Sequence, residues 1–215
     1  MPFPVPTPIF RLVHIRNLEI LLTRGGLYAP NHIPNDGLQY HTIHNQEIQD
    51  ARHSWEIPVS PGGVLHDYIP FYFGCRPPML LQLKTNRVAN YVEGQDPIIY
   101  LVSSVQEVIR ERCVFVFSDG HGLASFTDWY NSYEELREVD WDMVNARYWA
   151  DIPDEDMDRQ RRKQAEFLIQ RFCPWSLIRE IAVFNRNIKD QVDSIMNRYP
   201  VDMRREVHIR PSWYY

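Results

Sequence analysis

Arg161-Arg-Lys-Gln-Ala-Glu166-Phe-Leu-Ile-Gln-Arg-Phe172 places one carboxylate where the chain turns apolar: Glu166 lies between Ala165 and Phe167, with Leu168 and Ile169 following. A charge there is costly unless it is paired or solvated. Read as a strand, the stretch puts Gln164, Glu166 and Leu168 on one face and Ala165, Phe167 and Ile169 on the other. Read as an amphipathic helix, it turns Ala165, Leu168, Ile169 and Phe172 inward and leaves Glu166 in water. Periodicity fits both readings.

Working outward, Ile98–Val102 (IIYLV) and Cys113–Phe117 (CVFVF) read as buried strands, with a helix around Ser104–Arg112 between them. Ile9–His14 reads as a first strand ending at His14, followed by a helix capped by Asn17 and stopped at Gly25-Gly26. Residues 43–55 read as a helical stretch carrying Arg52. Residues 64–73 read as an aromatic strand broken by Pro70, and residues 79–83 as a helix entered through prolines. An acidic loop, residues 151–159, switches abruptly to Arg161-Arg162-Lys163. Residues 178–184, 188–199 and 207–209 read as strand, helix and strand. Strands and helices mix without a βαβ rhythm, so the expected class is α+β.

The 215 residues show no linker-like break and are expected to form a single domain over 1–215, with 1–8 a proline-rich lead. No apolar run spans a bilayer, and MPFPVPTPIF lacks the positive n-region of a signal peptide, so a cytoplasmic location without membrane contact is expected. Cys75, Cys113 and Cys173 are odd in number and show no CxxC, which points to reduced thiols. A net charge of -5 argues against a broad, nonspecific grip on nucleic acid. Twenty of the 23 basic residues are arginine, a bias suited to phosphate and carboxylate recognition and equally to a GC-rich genome.

GxGxxG and GxxxxGK[ST] are both absent, which removes the Rossmann and P-loop readings. His66-Asp67 and Asp119-x-His121 have the residue types of a hydrolytic metal centre, but nothing sets their spacing on one element. A metal-dependent phosphohydrolase using those four residues is one alternative, and a non-catalytic nucleic-acid-binding domain is another.

Four segments in order carry more information together: His14-Ile-Arg-Asn17-Leu-Glu-Ile-Leu-Leu, His66-Asp-Tyr-Ile-Pro-Phe-Tyr-Phe-Gly-Cys-Arg76-Pro-Pro-Met, Ser118-Asp-Gly-His121, and Arg162-Lys-Gln-Ala-Glu166-Phe-Leu-Ile. Their wording and order, from about Arg11 to Tyr199, resemble the DarT family of DNA ADP-ribosyltransferase toxins. The resemblance implies an ADP-ribosyltransferase fold similar to poly(ADP-ribose) polymerase catalytic domains, with two abutting, mostly antiparallel sheets, peripheral helices and an NAD cleft. It implies transfer of ADP-ribose from NAD, without a metal, to a nucleobase of single-stranded DNA in a sequence-selective manner, with thymine as the expected base. It also implies a partner, a macrodomain antitoxin of the DarG type.

For single residues, the resemblance makes Glu166 the catalytic carboxylate and decides for the strand reading. It places His14 against the nicotinamide-side ribose with Asn17 nearby, and Tyr72, or in its place Phe73, against the nicotinamide ring. Arg52 becomes the cation on the NAD phosphates or the reacting base, and His121 the group that orients that base. Arg76, Arg159, Arg161, Arg162 and Lys163 are expected on the DNA side. There Asp154-Glu155-Asp156 would repel phosphates and must point elsewhere.

Overall fold

A computed structural model describes residues 3–215, so Met1 and Pro2 of the proline-rich lead lie outside the described residues. The strands are β1 (Pro8–His14), β2 (Gly26–Tyr28), β3 (Tyr68–Tyr72), β4 (Ile98–Ser104), β5 (Phe115–Ser118), β6 (Trp129–Tyr130), β7 (Glu166–Gln170), β8 (Phe172–Pro174), β9 (Glu180–Val183) and β10 (Glu206–Ile209). The α-helices are α1 (Leu18–Thr23), α2 (Gln46–Ser54), α3 (Pro78–Lys84), α4 (Val105–Arg110), α5 (Trp141–Asn145), α6 (Arg159–Lys163) and α7 (Arg186–Met196). Among the described residues no helix is long and apolar enough to cross a membrane.

Eight strands run in the order β10-β9-β4-β1-β3-β7-β5-β6, antiparallel except for β9–β10, while β2 and β8 pair separately. The expected pair of abutting sheets is present as two halves of this ladder. They meet where β1 touches β3 at one register position, Phe10↔Tyr72. Beyond that position the strands part, and the Arg11 guanidinium reaches across to the Pro70 carbonyl at 2.9 Å. Proline is tolerated here because that side of β3 needs no ladder N–H.

Alternation along the strands builds the core. Phe71, Phe117, Phe167 and Ile169 join Ile9, Ile99 and Leu101 on one side of the sheet, and Phe10, Tyr100 and Val102 pack with Leu80 and Leu83 on the other. Tyr68, Val116 and Leu168 form a third cluster on the face that carries Glu166. Strand β7 thus divides as the strand reading requires, with Ala165, Phe167 and Ile169 in the main core. The strand begins only at Glu166, however. Residues 159–163 are helical, and Gln164 sits in the turn between the two elements.

One cap differs from its reading. Asn17 ends a short 3-10 turn and does not cap α1 with its side chain. Its amide instead donates to the His41 carbonyl at 2.9 Å and accepts from the His41 N–H at 2.7 Å, pinning segment 38–45 against β1's end.

Candidate active site

The opening between the sheet halves is a cavity of about 420 Å³ whose wall includes Arg11, Tyr40, His41, Arg52, Tyr72 and Glu166. That volume is in the range of small-molecule sites, about 300–1,000 Å³. Glu166, the first residue of β7, is cross-strand partner to Tyr72 on β3. Both side chains therefore project on the same face, within reach of one ligand.

Glu166 is 3% exposed and Arg52, on α2, is 7% exposed. The guanidinium grips the carboxylate with two parallel bonds, Nη1 to Oε1 at 3.0 Å and Nη2 to Oε2 at 2.9 Å. Helix α2 begins at Asn45, whose side chain accepts from the Glu47 N–H, and this cap sets the rotation that turns Arg52 inward. Burial pushes the Glu166 carboxyl up, and Arg52, helped by His121 and the Gly122 N–H, outweighs it and holds the group below its ordinary 4.5. The carboxylate is ionised, buried and oriented. Its backbone is fixed as well, since the Glu166 N–H donates to Ser118 Oγ at 3.2 Å.

His121 lies on the loop leaving β5. Its N–H donates to the Arg161 carbonyl and its own carbonyl accepts from Thr127 Oγ1. Burial lowers its pKa below 6.5, so the imidazole is neutral at neutral pH. Gly120 in the same loop is required by close approach, because a Cβ there would come within 2.3 Å of Arg161 Nη1.

Other expected residues sit elsewhere. Phe73 is 1% exposed and packs edge-on against Phe117, Phe167 and Trp141, so the aromatic facing the cleft is Tyr72. His14 is buried behind His41 with ring centroids 4.2 Å apart, and its Nδ1 accepts the Arg16 N–H. The cavity wall there is made by Val13, Asn17 and His41.

Nor are the cations before Glu166 a free basic track. Lys163 is 3% exposed and donates to three carbonyls, Val144 at 2.7 Å, Ala146 at 2.9 Å and Cys75 at 3.0 Å. Arg161 is held bidentate by Asp119 and by Asp158. Arg162 is held by Asp140, Asp156 and Asp158. Arg159 donates to the Ala150 and Tyr148 carbonyls. The acidic run does not point away from these arginines; Asp156 and Asp158 are their partners.

The four residues of the hydrolase alternative are not gathered. Asp67 is used by the Val64 N–H, Asn31 and His32, and Asp119 by Arg161. Among the described residues the side chains that come within ligand spacing of one another are His14, His41 and Glu93. With His14 Nδ1 accepting a backbone hydrogen, its Nε2 carries the proton and faces Glu93 Oε2 at 3.5 Å, which makes a donor of the atom a metal would need.

Arg11, His41 and Tyr40 escaped the sequence reading. Arg11 had a local signal, a charge inside the apolar strand Ile-Phe-Arg-Leu-Val-His. His41 and Tyr40 sit in an irregular segment and had none. Arg11 Nε and Tyr40 Oη are buried without a hydrogen-bond partner, while His41 Nε2 faces Glu93 Oε1 at 3.0 Å. Unspent donors around a cavity suit a polar, phosphate-bearing ligand, so the residues present fit NAD.

Residues 10–215 match the family described as ssDNA thymidine ADP-ribosyltransferase, DarT. A DNA ADP-ribosyl transferase of Thermus sp. (strain 2.9) is 42% identical over 213 residues, covering 99% of this chain and 98% of that protein. The structure of Thermus sp. 2.9 DarT in complex with ADP-ribosylated ssDNA superposes with a TM-score of 0.93 at 41% identity, over 100% of this chain and 99% of that one. Its complex with NAD+ gives 0.88 at 40% identity, with all of both chains covered. Thermosipho africanus DarTG in complex with ADP-ribose, 18% identical, shares the fold over 97% of this chain and 51% of its own, with a TM-score of 0.76. Family match, identity over the full length and superposition agree, and the chain belongs to the DarT family of single-stranded-DNA thymidine ADP-ribosyltransferases.

Proposed function

We propose that this chain transfers ADP-ribose from NAD to a thymine base of single-stranded DNA, with Glu166 as the catalytic carboxylate and Arg52 as the residue that holds it ionised. The observation that carries this reading is the buried bidentate Arg52–Glu166 pair at the wall of the cleft. When the bond from nicotinamide to the ribose carbon breaks, its electron pair leaves with nicotinamide and positive charge develops on that carbon. A fixed carboxylate hydrogen-bonded to the ribose hydroxyl stabilises that charge more than it stabilises the ground state. The thymine ring nitrogen then bonds the ribose carbon, and its proton passes to Glu166.

Tyr72, beside Glu166, supplies a face for the nicotinamide ring. Neutral His121 orients the incoming base, and Arg11 and Tyr40 present polar groups to the NAD side. Asn17 and His14 act through His41, which one bonds and the other packs against. Of the cations assigned to DNA, Arg76 and Arg159 keep that role, since neither takes a carboxylate partner. A macrodomain protein that removes the modification is the expected antitoxin, and the activity is that of a toxin.

Incubation with NAD and a mixed-sequence oligonucleotide is expected to add one ADP-ribose mass to a thymidine-containing strand and release nicotinamide. Modification of RNA or protein with DNA left untouched would reverse the substrate assignment.

Arg52→Gln is expected to move the acid limb of the pH profile. The active carboxylate is the ionised form, so in the native enzyme activity persists down to the depressed Glu166 pKa. Without Arg52, burial is opposed only by His121 and the Gly122 N–H and raises that pKa, so the limb shifts toward neutrality as the maximal rate falls about 10²–10³-fold. A rate loss with an unmoved acid limb would remove Arg52 from this role.

A further inference from the structure

Among the described residues only two aromatic side chains are largely exposed, Phe126 at 67% and Tyr148 at 80%. Both lie in the connection between β5 and β7 that delivers Glu166, and both are tied to arginines of α6. The Arg161 guanidinium lies over the Phe126 ring, 5.0 Å from its centroid. Arg159 Nη2 bonds the Tyr148 carbonyl at 2.7 Å. Phe126 sits on the loop of His121, whose backbone is bonded to Arg161 and Thr127.

We propose that Phe126, backed by Arg161, is a stacking platform for a nucleobase next to the modified thymine, with Tyr148 a second platform farther along the strand. This rests on the DNA reading above and adds how the strand is held. Residues 151–163 carry five carboxylates against four cations, Arg161 and Arg162 are neutralised by aspartates and Lys163 is buried, so Arg159 alone is left for phosphates and the electrostatic hold there is small. A single strand on such a surface is held through its bases, and aromatic stacking contributes about 1–3 kcal/mol per base. A lone exposed apolar ring carries no signal by itself; what marks Phe126 is its position on the His121 loop and its guanidinium backing. Here one face is taken by a guanidinium whose carboxylate partners keep it in place.

The test compares native protein, Phe126→Ala, Phe126→Trp and Tyr148→Ala on a thymidine-containing 12-mer and on thymidine 5′-monophosphate, at two salt concentrations. The expected result is a 5- to 150-fold rise in KM for the 12-mer in Phe126→Ala, the fold-change matching loss of one stacked base. Phe126→Trp restores the native value. NAD consumption with the mononucleotide and the melting temperature stay native, and the drop in affinity persists at high salt because no phosphate contact is lost. Tyr148→Ala gives the same pattern on the 12-mer and none on a 4-mer. An unchanged KM for the 12-mer in Phe126→Ala, or an equal loss on mononucleotide and 12-mer, overturns the platform. If the native protein modifies no DNA, it is the functional reading above that fails.

Discussion

Replacing Glu166 by Gln is expected to lower the rate of ADP-ribosyl transfer about 10³-fold or more while leaving NAD binding within a few-fold of native. The size follows from the two roles lost together. Removing one preorganised electrostatic group at a developing charge costs about 10²–10³, and losing a positioned base costs about 10²–10⁴. These overlap, because one carboxylate performs both. Glutamine keeps the shape and one acceptor for Arg52, so the cleft is retained and the effect falls on turnover. The charge of Arg52 is left uncompensated at 7% exposure, and breaking a buried pair from one side costs about 3–5 kcal/mol. A lower melting temperature is therefore expected alongside the kinetic loss. Single-turnover kinetics with saturating NAD, together with direct NAD binding, separate the two effects. A variant that binds NAD normally and transfers at more than a tenth of the native rate would remove Glu166 from the chemistry.

Lys163→Met is expected to destabilise the fold by about 3–5 kcal/mol without weakening the enzyme's hold on DNA at permissive temperature. Two of its three acceptors, Val144 and Ala146, are at the C-terminal end of α5, where carbonyls have no partner within the helix. The third, Cys75, belongs to the turn leaving β3. Gly74 in that turn approaches so closely that a Cβ would lie 2.0 Å from the Val144 oxygen. Burial lowers the Lys163 pKa to about 8, so at neutral pH it is still an ammonium, with three hydrogens for three oxygens. Methionine fills the space and satisfies none of them, at about 1–3 kcal/mol per stranded carbonyl before relaxation. For a chain of this length that is a fall in Tm of roughly 2–4 °C per kcal/mol. Thermal unfolding and oligonucleotide binding at low temperature check it. Native stability with impaired binding would return Lys163 to the DNA side.

How far the site was legible depends on whether a residue's partner is local. The strands Ile98–Ser104 and Phe115–Ser118, the helices Pro78–Lys84 and Arg186–Met196, and the two faces of β7 are written in apolar spacing, because side-chain direction repeats with the backbone period. The order of four motifs carried the family and with it the role proposed for Glu166. Phe73 was not separable from Tyr72 in an aromatic run, since consecutive strand residues differ only in which side faces the core. The fate of Arg161, Arg162 and Lys163 was hidden because a charge run looks the same whether it faces water or carboxylates packed beside it.

The residue pattern left β7 open between strand and helix, and the family wording of the four motifs decided for a strand; once extended, alternation gives it one wholly apolar face and puts its single acid on the other. Only the tertiary structure decided what that acid meets. The register that sets Tyr72 across from Glu166, the parting of β1 from β3 after one pair, and the turn of α2 that brings Arg52 to a carboxylate 114 residues away are long-range outcomes. They follow from burial: once the cores on both sides of the sheet close, a carboxylate at 3% exposure requires a cation, and Arg52 on α2 supplies it.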